Sequence, residues 1–593
     1  MPNRKPDLPL VLITIVTLLL VILIYVGSYT AALRFLSQRN HLNIPTAMLA
    51  LFFSFVFAST CIILLLEHED PSRTLAWLLV LLAFPVVGFI LYLLFGQRLI
   101  KKQKLSRHLR RAYGQTGVMG KTTLRFRKGF SPVAPGSCPL TEMNRFPKDS
   151  VQMRMSHLIY NSSGTRITCS NWVHILNDGI RIFPAMLTAI AGAKHHIHLE
   201  SYILRDDEVG KLFFEVLAEK AAAGVQVRII TDGVGSLSFK NKRITELKEQ
   251  GIQVQVYFPL RFTLFRNKLN YRNHRKILVV DGKTGFVGGA NIGNDYLGLY
   301  PDIGNWRDTQ LMIHGPAVAD LQRIFFQDWV TLTGRLPQDS KDKYYPAFTE
   351  TDRLAVAAPV FPDYLAHLGK VTLVMAQAMA LNAAAAAGNS NITVDPLSSN
   401  EEGLPPFQPD YSQAVQIAAS GPDSPYESIM QAYHYAIATA KHTIYITSPY
   451  FIPNQSILTA LKTAALAGID VNLLVPRNPD HQLVYMAAMP YIEDLLEDGV
   501  KVWLYRKGFL HSKIVTVDDT IAIVGTANMD QRSFALNFEV NALIYDKKTV
   551  EELNNAFHRD LADADGLDLN VMKKRPLSRR ILESTSRLLS PLL

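Results

Sequence analysis

The feature that most constrains the fold is an internal repeat, because segments about 240 residues apart carry the same order of patterns. Residues 193–201 and 440–448 both alternate between apolar and polar side chains, as a β-strand does. Each is followed by a helix-like segment that ends in Ala-Gly, and then by a second strand-like segment at 225–230 or 469–475. Strand, helix and strand in this order form a βαβ unit with parallel strands. The sequence therefore predicts a duplicated α/β fold with mixed, mainly parallel sheets.

A third match places the end of each half of this repeat. Residues 325–328 (Phe-Phe-Gln-Asp) are matched by 557–560 (Phe-His-Arg-Asp). Between the halves, residues 336–425 hold an alanine run and many Gly, Asn, Ser and Pro residues, which is typical of a flexible linker. We expect a first half at 151–335 and a second half at 426–593.

The strongest chemical signal is a His-x-Lys pair in each half, formed by His274 with Lys276 and by His511 with Lys513. Positions i and i+2 of a strand face the same way, so each imidazole should lie beside an ammonium group. Two copies at matching positions of a repeat argue against incidental histidines in ordinary core strands. We interpret these four residues as catalytic.

An asparagine and an aspartate follow each His-x-Lys pair at the same spacing in both halves. Asn291 and Asn528 come after a turn, on the next strand, and are expected to bind substrate. Asp281 and Asp518 stand at the end of the His-x-Lys strand. We include both aspartates in the catalytic set as members of the motif, although their place favours fixing the turn over touching a substrate.

Lysine ammonium and asparagine amide groups gathered together suit an anion such as a phosphate diester. A neutral histidine can attack phosphorus to form a phosphohistidine, and a protonated one can donate to the leaving alkoxide. Asp308 and Glu539 follow the motifs and are expected to orient the histidines. This chemistry needs neither metal nor cofactor, and no carboxylate cluster for magnesium is evident.

A second group of histidines, at positions 195, 196 and 198, also invites a metal-site interpretation. Its repeat partner carries Thr443 and Tyr445 at two of these positions, and only His196 and His198 share a strand face. We therefore predict no metal site there.

The first 97 residues are interpreted as a membrane anchor. Uncharged runs occupy Leu8–Leu33, Leu42–Leu66 and Thr74–Gln97, and each is long enough for a helix that spans a bilayer. The first run follows Arg4 and Lys5, which leaves open a signal peptide, but its apolar length favours an uncleaved anchor. Two or three transmembrane helices are expected.

A basic segment, residues 98–150, follows the third apolar run. Residues 98–128 include eleven basic and no acidic side chains, whereas the rest of the chain has 50 basic and 51 acidic residues. Basic flanks stay cytoplasmic and attract anionic lipid, although topology alone also explains them. Because the charge is concentrated here and not along both halves, we expect an anionic membrane surface as partner and no nucleic acid. The predicted location is a membrane, with the catalytic domain in the cytoplasm.

Two His-x-Lys-x4-Asp motifs, each followed by Gly-x-x-Asn, resemble the phospholipase D superfamily. The chain is similar in particular to its bacterial cardiolipin synthases, over about residues 65–335 and 425–593. The stretches that support this are 71–79, 448–453, 528–534 and 587–593. The first apolar run and the long linker depart from the usual pattern of that family.

The resemblance implies a pseudo-twofold pair of halves around one shared site. It implies transfer of a phosphatidyl group from one phosphatidylglycerol to another, which yields cardiolipin and glycerol. His274 would be the nucleophile and His511 the acid and base, or the reverse. Lys276, Lys513 and both asparagines would hold the phosphate. A phospholipase D that uses water, and a synthase with another donor such as phosphatidylethanolamine, remain alternatives; a nuclease or a silent scaffold is disfavoured.

Overall fold

The computed structural model describes residues 149–259, 271–298, 304–335, 341–349 and 410–588, together with scattered single residues. The chain forms two compact units, Met1–Leu105 and Ser106–Leu593. The predicted anchor and most of the basic segment lie outside the described residues, so the expected spans stay predictions. Among the residues that are described, no helix is long and apolar enough to cross a bilayer.

The second unit is an α/β structure in which helices cover both faces of one large sheet. Its helices are α1 (Val151–Ser163), α2 (Gly179–Ala191), α3 (Glu208–Ala222), α4 (Asn241–Glu249), α5 (Val318–Thr333), α6 (Lys341–Tyr344), α7 (Ser428–Ala438), α8 (Gln455–Leu466), α9 (Gln482–Glu497), α10 (Gln531–Ala535), α11 (Lys547–Ala562), α12 (Leu569–Lys573) and α13 (Leu577–Leu588). Its strands are β1 (Thr168–Asn177), β2 (His196–Ser201), β3 (Gln226–Asp232), β4 (Gln253–Tyr257), β5 (Arg272–Asn273), β6 (Ile277–Val280), β7 (Thr284–Gly288), β8 (Asn305–Arg307), β9 (Thr309–His314), β10 (Gln413–Ser420), β11 (Thr443–Thr447), β12 (Phe451–Ile452), β13 (Asp470–Pro476), β14 (Lys501–Tyr505), β15 (Gly508–Leu510), β16 (Ile514–Val517), β17 (Ile521–Gly525), β18 (Met529–Asp530), β19 (Asn537–Ile544) and β20 (Ala564–Gly566).

The two halves of the sheet repeat the same strand order about the junction of β1 with β10. The order is β1-β9-β7-β6-β2-β3-β4 on one side and β10-β19-β17-β16-β11-β13-β14-β20 on the other. The predicted duplicated α/β fold is therefore confirmed. β10 belongs to this sheet, although the sequence places residues 413–420 in the linker.

The expectation of a mainly parallel sheet is wrong. Ten of the seventeen strand pairings in the described part of the chain are antiparallel. The βαβ units do give parallel pairs, as in β2–β3 and β11–β13. The His-x-Lys pairs lie just before strands β6 and β16 and not on a strand as expected. Each of these strands is followed by a short turn and then by its antiparallel neighbour, β7 or β17, in a hairpin.

Two short strands cross from one half to the other and fix the site. β5, just before His274, pairs with the start of β19 in the second half. β15, just before His511, pairs with β8 in the first half. A shared core supports this exchange, because buried side chains of both halves, such as Ile277 and Val540, belong to one cluster.

Candidate active site

Each histidine is positioned by the opposite half of the chain. The backbone N–H of His274 donates to the carbonyl of Phe538 over 3.0 Å, and that of His511 donates to the carbonyl of Arg307 over 2.7 Å. In both cases the next residue after the carbonyl is an acid, Glu539 or Asp308. The crossing strands therefore bring an imidazole of one half beside a carboxylate of the other.

The imidazole–carboxylate contacts are direct. His274 Nδ1 lies 3.0 Å from Glu539 Oε2, and His511 Nδ1 lies 2.7 Å from Asp308 Oδ2. A carboxylate can only accept, so each Nδ1 carries the proton and each Nε2 is left with its lone pair. We call His274 with Glu539, and His511 with Asp308, the two half-sites. The sequence indicated both acids but not that they act across the halves.

The two carboxylates are held by different neighbours. Glu539 Oε2 accepts from the Thr526 hydroxyl over 2.5 Å, and Glu539 Oε1 accepts from the Asn537 amide over 3.2 Å. Asp308 Oδ1 accepts from the backbone N–H of Thr309 over 2.8 Å. At the repeat position of Thr526, the first half has Gly289, where an added Cβ would lie 2.1 Å from Asp308 Oδ1.

In each half-site, an arginine guanidinium donates to the backbone carbonyl of the acid. Arg275 pairs with Asp328, and its Nε donates to the Glu539 carbonyl over 3.3 Å. Arg307 Nε donates to Asp560 over 2.9 Å. Its Nη1 donates to the Asp308 carbonyl over 2.6 Å. The matched aspartates that marked the end of each repeat are thus the partners of these guanidinium groups.

Lys276 and Lys513 are almost fully buried beside the histidines. Lys276 Nζ donates to the His274 carbonyl over 2.8 Å, and Lys513 Nζ donates likewise to the His511 carbonyl. Burial lowers the pKa of Lys276 to about 7 and that of Lys513 to about 8. Each ammonium keeps further N–H groups that can donate to an anion.

Both histidines are held neutral in the free protein. Burial, with the charge of the neighbouring lysine, lowers the pKa of His274 to about 4 and that of His511 to about 3. The charge of Lys513 also lowers the pKa of His274, and that of Lys276 lowers the pKa of His511. The two half-sites therefore lie close enough to interact electrostatically. Because the lysines contribute to this lowering, an anion bound between them would restore basicity to the imidazoles.

The predicted turn residues lie apart from this centre. The Asp281 carboxylate accepts three backbone N–H groups at the start of β2, over 2.7 to 2.9 Å. Asp518 makes the same three contacts at the start of β11, over 2.6 to 3.0 Å. Both adopt a positive φ, near 53° and 52°. Their geometry is that of residues that tie a hairpin turn to the neighbouring strand.

The two asparagines differ in their surroundings. Asn291 Oδ1 accepts from the backbone N–H of Ile203 over 2.9 Å, and its amide donates to the Tyr296 hydroxyl. Asn528 Oδ1 is buried and has no hydrogen-bond partner in the described part of the chain. A substrate-binding role for Asn291 and Asn528 stays a prediction.

The second group of histidines is not part of this site. His196 Nε2 lies 3.3 Å and His198 Nδ1 lies 2.6 Å from the Gln322 amide. Arg228 Nη1 lies 3.0 Å from His198 Nε2. The described residues contain no group of three or more His, Cys, Asp or Glu side chains that could hold a metal ion.

Aromatic rings that the sequence gave no reason to select cover both histidines. The ring of Tyr202 lies 5.0 Å from that of His274, and the ring of Trp306 lies 5.1 Å from that of His511. Trp306 Nε1 is buried and has no hydrogen-bond partner in the described ranges. These rings limit the access of water to the imidazoles.

A shallow cleft with a cavity volume of about 20 Å³ lies in the second half. Its lining is almost wholly apolar or aromatic: Pro449, Tyr450, Phe451, Val475, Pro476, Pro479, His481, Val484, Tyr485, Ala488, Met489 and Ile492. The Tyr450 hydroxyl, in the lining of the cleft, donates to Asp480 over 2.5 Å. The charge of Asp480 raises the pKa of Lys513. An apolar cleft thus lies near the His511 half-site.

Comparisons with known proteins agree with this geometry. A family model described as cardiolipin synthase, PLD-like domain, matches residues 186–329 and 433–561, which hold both His-x-Lys motifs. A second, described as phospholipase D-nuclease N-terminal, matches residues 52–97.

Curated relatives match almost the whole chain. A cardiolipin synthase of Geobacillus thermodenitrificans is 40% identical over 89% of this chain and 90% of its own. A major cardiolipin synthase of Bacillus subtilis is 38% identical over 93% of this chain and 100% of its own. Among solved structures, a phosphatidylserine synthase of Haemophilus influenzae shares the fold, with a TM-score of 0.51 and 16% identity over 75% of this chain and 100% of its own. The resemblance read from the motifs is confirmed: the chain belongs to the cardiolipin synthase family of phospholipase D-like proteins.

Proposed function

We propose that this protein is a phosphatidyltransferase that makes cardiolipin and glycerol from two molecules of phosphatidylglycerol. The observation that carries the proposal is the pair of half-sites, in which two neutral imidazoles, each held by a carboxylate of the other half, lie within electrostatic reach of two buried lysines. The family membership of the chain supports the choice of lipid.

In the first step His274 acts as the nucleophile. Its Nδ1–H donates to Glu539, so the Nε2 lone pair attacks phosphorus while the bond from phosphorus to the glycerol headgroup oxygen breaks. His511, made basic by the bound anion and stabilised as imidazolium by Asp308, gives its proton to the leaving alkoxide. Lys276 and Lys513 stabilise the charge on the equatorial oxygens.

In the second step the headgroup hydroxyl of another phosphatidylglycerol replaces glycerol. His511 removes the hydroxyl proton as the oxygen attacks phosphorus, and the bond from phosphorus to His274 Nε2 breaks. His274 is then neutral again, and His511 again holds one proton, as it did after taking one from water when the first phosphatidylglycerol bound. When cardiolipin leaves, His511 returns this proton to water, and both imidazoles are neutral as in the free protein. Every step is completed by groups of this chain, so neither a metal nor a cofactor is required.

The lipid substrate places the reaction at a membrane. We propose a multi-pass protein of the bacterial inner membrane, anchored by the predicted spans, with the half-sites on the cytoplasmic side and the basic segment 98–150 next to anionic lipid. The shallow cleft near Lys513 offers an apolar surface for contact with a hydrocarbon chain.

The test is the product of the purified protein in mixed micelles with phosphatidylglycerol as the sole lipid. Cardiolipin and glycerol in equal amounts are expected by mass spectrometry. Phosphatidic acid as the sole product would replace the synthase by a phospholipase D that uses water. Cardiolipin that forms only after phosphatidylethanolamine is added would identify a different donor. EDTA should leave the rate unchanged.

A further inference from the structure

Helix α13 buries polar side chains and exposes apolar ones, the opposite of an ordinary surface helix. A surface helix normally turns its apolar stripe to the core and its polar face to water. In α13, Glu583 and Ser586 are buried, whereas Leu577, Ile581 and Leu588 are 71%, 57% and 80% exposed. The three apolar residues follow the helical period, so they form one outward stripe over three turns.

The polar side of α13 is bound firmly to the protein. Glu583, only 1% exposed, accepts from Arg575 and, over 3.0 Å, from Arg579. Arg587 donates to Asp494 on α9 over 3.1 Å and stacks on the ring of Tyr491. The ion pairs of Glu583 and Arg587 therefore hold the polar side of α13 against the protein and turn the apolar stripe outward.

Exposed apolar side chains are concentrated in this segment. The large hydrophobic residues that are exposed in the described part of the chain number eleven, and five of them fall in residues 571–588. They are Val571, Leu577, Ile581, Leu582 and Leu588. A cluster of this kind on an otherwise polar surface marks an interaction site.

Cations border the apolar stripe. Residues 573–587 carry six basic side chains and one acid, Glu583. Arg579, Arg580 and Lys573 keep half or more of their side chains exposed despite their ion pairs. Lys574 has no ion-pair partner in the ranges that the structure describes. An apolar stripe beside exposed Lys and Arg is the pattern of helices that lie in a bilayer interface.

We propose that α13 is a membrane-docking helix that lies in the interface of an anionic bilayer, with Leu577, Ile581 and Leu588 among the acyl chains and the neighbouring arginines and lysines at the lipid phosphates. This proposal rests on the proposed function only in placing the protein at such a bilayer. A second copy of the chain fits the surface less well, because it would bring one cationic border against another.

Docking through α13 would also serve the site. Helix α9 packs against α13 through Tyr491 and Asp494, while its residues Val484 and Met489 line the apolar cleft. A bilayer that holds α13 would therefore lie close to the cleft, so a lipid tail has a short path from the leaflet to the neighbourhood of Lys513.

The test places a fluorescent reporter on the stripe in the full-length protein. Ile581→Trp is compared with Leu466→Trp, at an exposed leucine on α8 outside this segment. Both are reconstituted in vesicles of phosphatidylcholine and phosphatidylglycerol, with and without bromine on the phosphatidylcholine chains. The emission of I581W, after subtraction of the wild type, should lose intensity with brominated lipid, and more so when phosphatidylglycerol is present. The emission of L466W should not change.

Equal quenching of the two variants, or none in either, would overturn the proposal. A blue-shifted I581W emission that bromine does not quench would do so too, since it would show that protein covers the stripe. This measurement does not depend on turnover. Its outcome can therefore be interpreted whether or not the protein makes cardiolipin.

A second variant tests the same surface through activity. Leu577→Ser, Ile581→Ser and Leu588→Ser together should lower turnover severalfold on vesicles and leave it unchanged in mixed micelles, where detergent presents the lipid. Leu466→Ser is the matched control. Equal losses in vesicles and micelles, with an altered thermal unfolding curve, would contradict a docking role.

Discussion

The two half-sites are built by the same fold from the same kinds of groups, yet the groups come from different places in the sequence. The bracing guanidinium of the His274 half-site is Arg275, the residue between His and Lys. In the other half-site that position is Ser512, and the guanidinium is Arg307, which precedes the acid on the opposite strand. Both half-sites thus have the same arrangement of imidazole, carboxylate and guanidinium, but the guanidinium comes from a different sequence position in each.

The carboxylates differ as well, and this difference bears on the division of labour. Glu539 accepts from two further side chains, Thr526 and Asn537, whereas Asp308 accepts from one further donor, the Thr309 N–H, and has the closer imidazole contact. In the free protein the pKa of His511, about 3, lies below that of His274, about 4, because, after burial, the charge of Lys513 acts most strongly on His511. Once a bound phosphate neutralises Lys513, the closer carboxylate with fewer competing donors suits His511 to the proposed role of proton carrier, and leaves His274 to carry the phosphatidyl group.

The largest expected effect is the loss of either histidine. His274→Ala and His511→Ala should each reduce cardiolipin formation by at least about 10⁴-fold, because both steps need both imidazoles. Rates in mixed micelles measure this, and circular dichroism checks that the variants fold. Full activity in either one would refute a shared site.

The same pair separates the two roles. With a phosphatidyl donor whose leaving group needs no proton, such as p-nitrophenol, H511A should still release p-nitrophenolate and retain a covalent phosphatidyl group on the protein. H274A should do neither. The reverse outcome would exchange the assignments of nucleophile and acid.

The sequence predicted the chemical groups of this site better than their connections. Both histidines and both lysines were selected from the repeated His-x-Lys pair, and the two acids because one follows each motif. The strand periodicity assumed for the pairs does not apply, since both pairs lie just before β6 and β16. The exchange of β5 and β15 between halves was not predictable, since these strands have only two and three residues and no periodicity of their own. Thr526 and Gly289 occupy an unspecified position of the Gly-x-x-Asn pattern, so the sequence did not select them as neighbours of the acids.

The sheet shows the same limit. The βαβ units were predictable from alternation and the Ala-Gly ends, whereas the antiparallel pairs are mostly between strands distant in sequence. The two hairpins at Asp281 and Asp518 are the exception, because the turn expected at each aspartate implies an antiparallel neighbour.

The next effect in size compares the acids. Glu539→Gln and Asp308→Asn keep the shape of each side chain but remove the charge that stabilises an imidazolium, so each should lower the rate by about 10²-fold or more. If His511 carries the proton as proposed, the loss should be greater for D308N. A greater loss for E539Q would contradict the division of labour drawn from the donors around the two carboxylates.

A smaller loss of rate is expected from substitutions beside the two acids, at Gly289 next to Asp308 and at Thr526 next to Glu539. Gly289→Ala puts a Cβ against Asp308 Oδ1 and should displace the carboxylate from His511, for a loss of roughly tenfold or more in rate. Thr526→Ala removes one hydroxyl donor to Glu539, worth about 1 kcal/mol or about fivefold. The two variants are compared at equal thermal stability. A loss in T526A as large as that in G289A would mean that the two carboxylates are equally dependent on their neighbours.

The smallest expected effect is the pH dependence of substrate binding. The two half-sites can be told apart here because their lysines have different pKa values. With a pKa of about 7 for Lys276 and about 8 for Lys513, both are charged at pH 6 and lose their charge in that order as pH rises. An ammonium attracts the lipid phosphate only while it is protonated, so KM for phosphatidylglycerol should rise by about threefold between pH 6 and 9. Lys276→Arg keeps its charge throughout this range, so in K276R the rise should be confined to the step of Lys513, at the higher pH. A KM profile of K276R that still rises near pH 7 would assign that step to a group other than Lys276.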